Sequence, residues 1–168
     1  EKKESSVEEN SKSEVLPKID VQENKPQKEG WYQENHHWRF YQDDKPALNW
    51  KQIQGKWYYF DQDGNRLHST VYKGYAFDQD GVMVENSWTN LDNQWYYADP
   101  SGRLAQNTWK KINGSWYYFD QTGSMLSNTS VDGYLLTKSG AMAEKGWTKL
   151  DQIWYYVAPS GKISQDKW

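Results

Sequence analysis

From Gly30 onward the chain is polar except for short aromatic bursts that recur with little change: "GWYQENHHW", "WKQIQGKWYYF", "WTNLDNQWYYA", "WKKINGSWYYF" and "WTKLDQIWYYV". Each burst carries two tryptophans seven residues apart: Trp31/Trp38, Trp50/Trp57, Trp88/Trp95, Trp109/Trp116 and Trp147/Trp154. In the fourth, "WKKI" and "SWYYF" are strand-like runs around Asn113-Gly114, the pair best suited to a two-residue type I′ turn. Gln54-Gly55 and Asp92-Asn93 take the same place in other bursts. A second turn follows at Asp120–Gly123, matched by Asp61–Gly64, Asp78–Gly81 and Pro100–Gly102. Glycine every few residues and the lack of a 3.6-residue period exclude helices. The pattern predicts β-hairpins.

The hairpins repeat at a higher level. Aligning Trp50 with Trp109 gives a unit of 59 residues with 29 identical positions, a strong signal of a repeat architecture. It divides into blocks 50–70, 71–87 and 88–108, repeated as 109–129, 130–146 and 147–167, with an opening block at 30–49 and Trp168 starting another. The expectation is a fragment of a longer parent. With the turn at Asn113-Gly114, Trp109 lies across from Tyr118 and Trp116 across from Lys111. Strand alternation puts Trp109, Trp116 and Tyr118 on one face, and Tyr117 and Phe119 on the other. A lone hairpin is marginal in water, so the blocks must stack into an all-β solenoid. Residues 1–29 hold no aromatic residue and are rich in Glu, Lys, Ser and Pro; they read as a disordered tether.

Composition sharpens this picture. Aromatics are 17% of the chain, with 11 Trp and 13 Tyr against 4 Phe, and Leu, Ile and Val are sparse, so many small clusters replace one large core. Mean hydropathy is −1.13. The net charge of −3 offers no basic stripe for nucleic acid. No apolar run reaches the length of a membrane span. Without cysteine there is neither disulfide nor thiolate metal site, and any export signal is expected to have been removed. His36, His37 and His68 lack ligand spacing and read as surface residues, so no metal is expected. Turn carboxylates such as Asp61, Asp63 and Asp120 bond nearby backbone. No constellation for nucleophilic, acid–base or phosphate chemistry stands out, and no cofactor is implied. The expectation is a binding module rather than an enzyme.

Packing alone would be served by Leu or Val, which makes the paired indoles candidates for recognition. Electron-rich ring faces around a pocket attract a quaternary ammonium, each face contributing roughly 0.5–2 kcal/mol. Three faces, less the cost of binding, leave about −4 kcal/mol, a millimolar site. Several sites on one polymer raise this about 10²–10⁴-fold.

"GWYQENHHW", "WKKINGSWYYFDQTGSML" and "WTKLDQIWYYVAPSGKI" resemble the choline-binding repeats of pneumococcal-type surface proteins, over Gly30 to Trp168. The resemblance implies a solenoid of hairpins holding choline between consecutive units, in cages of two Trp from one hairpin with an aromatic and often a Met from the next. The implied partner is choline or phosphocholine on teichoic and lipoteichoic acids, at the bacterial cell surface. The 17-residue blocks lack Trp but keep Tyr75 and Tyr134 at the middle aromatic of "WYY". Carried over, the cages are Trp50, Trp57, Tyr75 and Met83; Trp88, Trp95, Tyr117 and Met125; and Trp109, Trp116, Tyr134 and Met142. A weaker candidate joins Trp31, Trp38 and Tyr58, where Arg66 replaces Met and repels an ammonium if it points inward. Another, Trp147 with Trp154, lacks a closing hairpin. The short blocks are expected to act as spacers. The alternatives are a glucan-binding solenoid and a structural adhesion stalk. A homodimer through a terminal hairpin is a further expectation.

Overall fold

The computed structural model describes residues 27–164, which contain strands, turns and loops and no helix. Most of the tail read as a tether, and Trp168, lie outside them. Seven antiparallel hairpins follow one another. The first pairs β1 (Gly30–Glu34) with β2 (His37–Gln42) and adds β3 (Lys45–Pro46). The second to fourth are β4 (Asn49–Ile53) with β5 (Lys56–Phe60), β6 (Thr70–Tyr72) with β7 (Tyr75–Phe77), and β8 (Ser87–Leu91) with β9 (Gln94–Ala98). The fifth to seventh are β10 (Thr108–Ile112) with β11 (Ser115–Phe119), β12 (Thr129–Val131) with β13 (Tyr134–Leu136), and β14 (Gly146–Leu150) with β15 (Ile153–Val157).

Turn chemistry places the hairpins. Asn113 and Gly114 have φ of 50° and 89°, both positive as a type I′ turn requires. Gln54-Gly55 and Asp92-Asn93 do the same. The register follows: Trp109 faces Tyr118 and Lys111 faces Trp116, with equivalent pairs at Trp50/Tyr59, Trp88/Tyr97 and Trp147/Tyr156.

After its second strand each of the later units turns and comes back along itself. At Asp61, Asp78, Asp99 and Asp120 the carboxylate accepts backbone N–H groups two and four residues on, at 2.9–3.0 Å. The returning segment then makes a single bridge to its own hairpin, at Phe60/Arg66, Phe77/Met83, Ala98/Leu104, Phe119/Met125, Leu136/Met142 and Val157/Ile163. The N–H of each returning residue also donates to the preceding hairpin: Arg66 to Trp38 O, Met83 to Trp57 O, Leu104 to Gly74 O, Met125 to Trp95 O, Met142 to Trp116 O and Ile163 to Gly133 O, at 2.8–2.9 Å. This bond, repeated at every junction, ties unit to unit. The core is correspondingly divided: Phe60, Phe77, Ala98, Phe119, Leu136 and Val157, one in each unit from the second onward at the end of its second strand, are all 0% exposed.

Candidate functional site

Each long hairpin presents its two tryptophans toward the next unit, which receives them on its back. Trp88 of the fourth unit packs on Tyr117 and Phe119 of the fifth, with ring centroids 4.9 and 5.5 Å apart. The alternation read from the strand period accounts for both faces.

Among the described residues, three cavities walled by tryptophans open between units. Trp50, Trp57, Tyr75, Met83 and Ser101 line one of about 440 Å³; Trp109, Trp116, Tyr134, Met142 and Ser160 line one of about 400 Å³; Trp88, Trp95, Tyr117, Met125 and Ser139 line one of about 270 Å³. Two of these volumes lie in the lower part of the range for ligand sites, about 300–1,000 Å³, and the third just below it. The structure thus gathers each of the three quartets, and adds a serine that the sequence reading missed. It comes from the turn of the unit after next, so every cavity draws on three consecutive hairpins.

The walls stand steeply to one another. Trp50 and Trp57 are 6.3 Å apart at 83°, Trp88 and Trp95 6.3 Å at 85°. Tyr75 meets Trp50 at 77°, Tyr117 meets Trp88 at 74° and Tyr134 meets Trp109 at 73°. Edge-to-face contact is a favoured aromatic geometry, and here it turns several ring faces toward one space. Each wall keeps solvent access: Trp50 is 38%, Trp95 43% and Trp116 40% exposed. The thioether floor depends on a bare backbone beneath it. A Cβ at Gly102, whose φ is +89°, would lie 2.5 Å from Met83 Cε.

Polar groups sit at the rim. Ser101 Oγ donates to Asp99 Oδ1 at 2.6 Å. That bond, with backbone N–H groups of Arg103 and Ser101, holds the Asp99 carboxyl below its ordinary value. The tyrosine walls supplied by the short hairpins also carry a cation against the ring, Arg103 over Tyr75 at 5.8 Å and Lys162 over Tyr134 at 5.7 Å.

The two weaker candidates differ from these three. Trp31, Trp38 and Tyr58 come together with the same steep angles, 84° and 69°, but Arg66 points inward, its Cζ 5.5 Å from the Trp31 ring and 5.8 Å from the Trp38 ring. Burial lowers the Arg66 pKa, with Tyr58, Asp80 and Asp78 acting against that shift, and burial likewise raises that of Tyr58. At the other end Trp147 packs on Tyr156 at 5.2 Å, and Lys149 lies over Trp154 at 5.8 Å; the two indoles are 56% and 60% exposed.

Junctions that begin with a short hairpin hold no tryptophan. Ala76, Ala98 and Leu104 fill one, with Val71, Val84, Leu91 and Tyr96 around them; Leu135, Ala143, Leu150 and Val157 pack at the other, beside a cavity of about 270 Å³ lined by Asn128, Leu135, Leu150, Asp151, Tyr155 and Ile163. His36, His37 and His68 are exposed, and no group of three or more metal-ligating side chains converges among the described residues.

The pattern of the putative cell wall binding repeat matches residues 49–65, 86–104, 107–125 and 145–163, which are the second, fourth, fifth and seventh hairpins. The short hairpins fall between the matches. No curated protein sequence matches the chain. Among solved structures, the modular autolysin LytC from Streptococcus pneumoniae is 31% identical over 80% of this chain and 32% of its own, with a TM-score of 0.66. Choline binding protein F of the same organism is 29% identical over 82% of this chain and 52% of its own, with a TM-score of 0.63. CbpJ from Streptococcus pneumoniae TIGR4 is 28% identical over 82% and 48%, with a TM-score of 0.66. The chain therefore spans about a third to a half of the length of these three proteins.

Proposed function

The chain belongs to the choline-binding family of cell wall binding repeats, and from that premise we propose that its three open cavities are receptors for the trimethylammonium group of choline. The observation that carries this reading is the arrangement of the walls. At two of the cavities two indoles and a phenol ring set at 74–85° form a corner; at the third Tyr134 stands at 73° to Trp109, with Trp116 beside them, and a thioether closes each base. A compact cation presents a methyl to each ring and gains cation–π attraction from each face. The soft sulfur of Met83, Met125 or Met142 adds a polarizable contact. None of the five residues lining each cavity is charged, so the rings themselves supply the attraction. A sugar, by contrast, stacks its flat face on a level platform, which steeply set rings do not offer.

A single site of this kind has an affinity in the millimolar range, about −4 kcal/mol. The partner that turns weak sites into firm attachment is a polymer with many choline groups, with a gain of about 10²–10⁴ when several sites engage at once. Phosphocholine on teichoic and lipoteichoic acids is such a polymer. The module would then act without catalysis, holding a surface protein to the bacterial cell wall.

Titrating the chain with choline while following tryptophan fluorescence tests the reading, with dextran in a parallel arm. A saturable change at millimolar choline and none with dextran supports it. A response to dextran alone moves the assignment to a glucan-binding solenoid; silence in both arms leaves an adhesion stalk.

A further inference from the structure

The first junction has the walls of a receptor and something already inside them. Arg66 stands where Met83, Met125 and Met142 stand in the three open cavities, and its backbone makes the same bond, N–H to Trp38 O at 2.8 Å. Its side chain runs over the bare backbone of Gly81, just as Met83 runs over Gly102 and Met125 over Gly140. Beyond that point the guanidinium continues to the Trp31 and Trp38 faces. Arg66 Nε, over the Gly81 backbone, is buried with no hydrogen-bond partner, and Cζ next to it lies against the Trp31 and Trp38 rings.

A second replacement accompanies the first. The residue before the turn glycine two units on from the tryptophan pair is Ser101, Ser139 or Ser160 at the open cavities, and Asp80 at this one. The 59-residue repeat makes the pairing explicit, since Arg66 and Asp80 correspond to Met125 and Ser139 one period later. Replacing Met by Arg introduces a half-buried positive charge, which is costly unless it is compensated. Replacing Ser by Asp puts a carboxylate on the same side of the junction.

We propose that Arg66 is a tethered internal ligand for the first aromatic cage, filling the place that a methylated ammonium takes in the other three, with Asp80 as its counter-charge. This junction is closed whether or not choline is present, and it is a latent receptor site rather than a working one. The inference rests on the reading of the open cavities given above.

Equilibrium dialysis with radiolabelled choline counts the sites. The native chain is expected to bind three equivalents, one per open cavity, and the double variant Arg66→Met, Asp80→Ser to bind four. Three equivalents in both chains overturn the internal-ligand proposal and leave the choline reading standing. Four in the native chain overturn it too, because choline would then displace Arg66. No binding by the native chain removes the choline reading and this inference with it. Should the double variant not fold, the native chain supplies the test through the Arg66 Nε–H proton signal in NMR. Ring currents should move it upfield, and it should exchange slowly and stay unchanged at saturating choline. Exchange as fast as that of exposed arginines, or a shift on adding choline, overturns the proposal.

Discussion

The junction between the second and third hairpins and the one between the third and fourth are joined by the same backbone hydrogen bond, Met83 N–H to Trp57 O in one and Leu104 N–H to Gly74 O in the other. Their side chains could hardly differ more. The first is walled by Trp50, Trp57 and Tyr75 around about 440 Å³ of open space. The second is filled by Ala76, Ala98 and Leu104, all under 5% exposed. One molecule thus shows that a solenoid joint closes well on small aliphatic residues, without any indole. Tryptophan is therefore not needed to close a joint, and at this pair of junctions the indoles stand where the open space is.

Leu104→Ala breaks the comparison on its packed side and carries the largest expected effect. A leucine 4% exposed in a close cluster costs about 2–4 kcal/mol when truncated, readable in urea unfolding, and the number of choline equivalents should not change. Gly102→Ala comes next. It forces a side chain to φ +89° and into Met83, so a loss of about 1–3 kcal/mol is expected, together with weaker binding at that one cavity. Trp57→Phe keeps an aromatic wall but removes indole surface. Stability should move by less than about 0.5 kcal/mol, whereas affinity at the site should fall roughly tenfold, about 1.4 kcal/mol, measurable by fluorescence titration. Unchanged wall attachment would favour a stalk.

The smallest effect concerns acid. Asp99 is held below its ordinary value chiefly by the Ser101 hydroxyl. A depressed folded-state pKa means that its stabilisation is complete above about pH 4 and is lost as pH falls through the lowered value. A small acid-side weakening of the turn that carries Ser101 should follow, and Asp99→Asn should remove that pH dependence. Amide exchange at Ser101 and Arg103 reports it.

Much of this was legible before any coordinates. Asn113-Gly114 announces its hairpin because few residues tolerate two successive positive φ values, and the register that puts Trp109 across from Tyr118 follows from that turn. Seven-residue tryptophan spacing then places both indoles on one face. The returning segments were harder to see, because a single bridge such as Phe77/Met83 leaves no alternation to detect. The rim serines were not legible at all. Ser101 lines a cavity founded on Trp50, 51 residues earlier in the sequence, and no local pattern encodes a contact across that separation. The direction of the Arg66 side chain was an open question for the same reason.

Because each tryptophan-walled cavity borrows a serine from two hairpins downstream, damage is expected to travel backward along the array. Disturbing the seventh hairpin would degrade the pocket whose indoles sit on the fifth, and an inserted or deleted block would be felt by neighbours that it never touches in sequence. Recombination among such blocks would therefore reshape a cavity by changing the company it keeps, with its own tryptophans left intact.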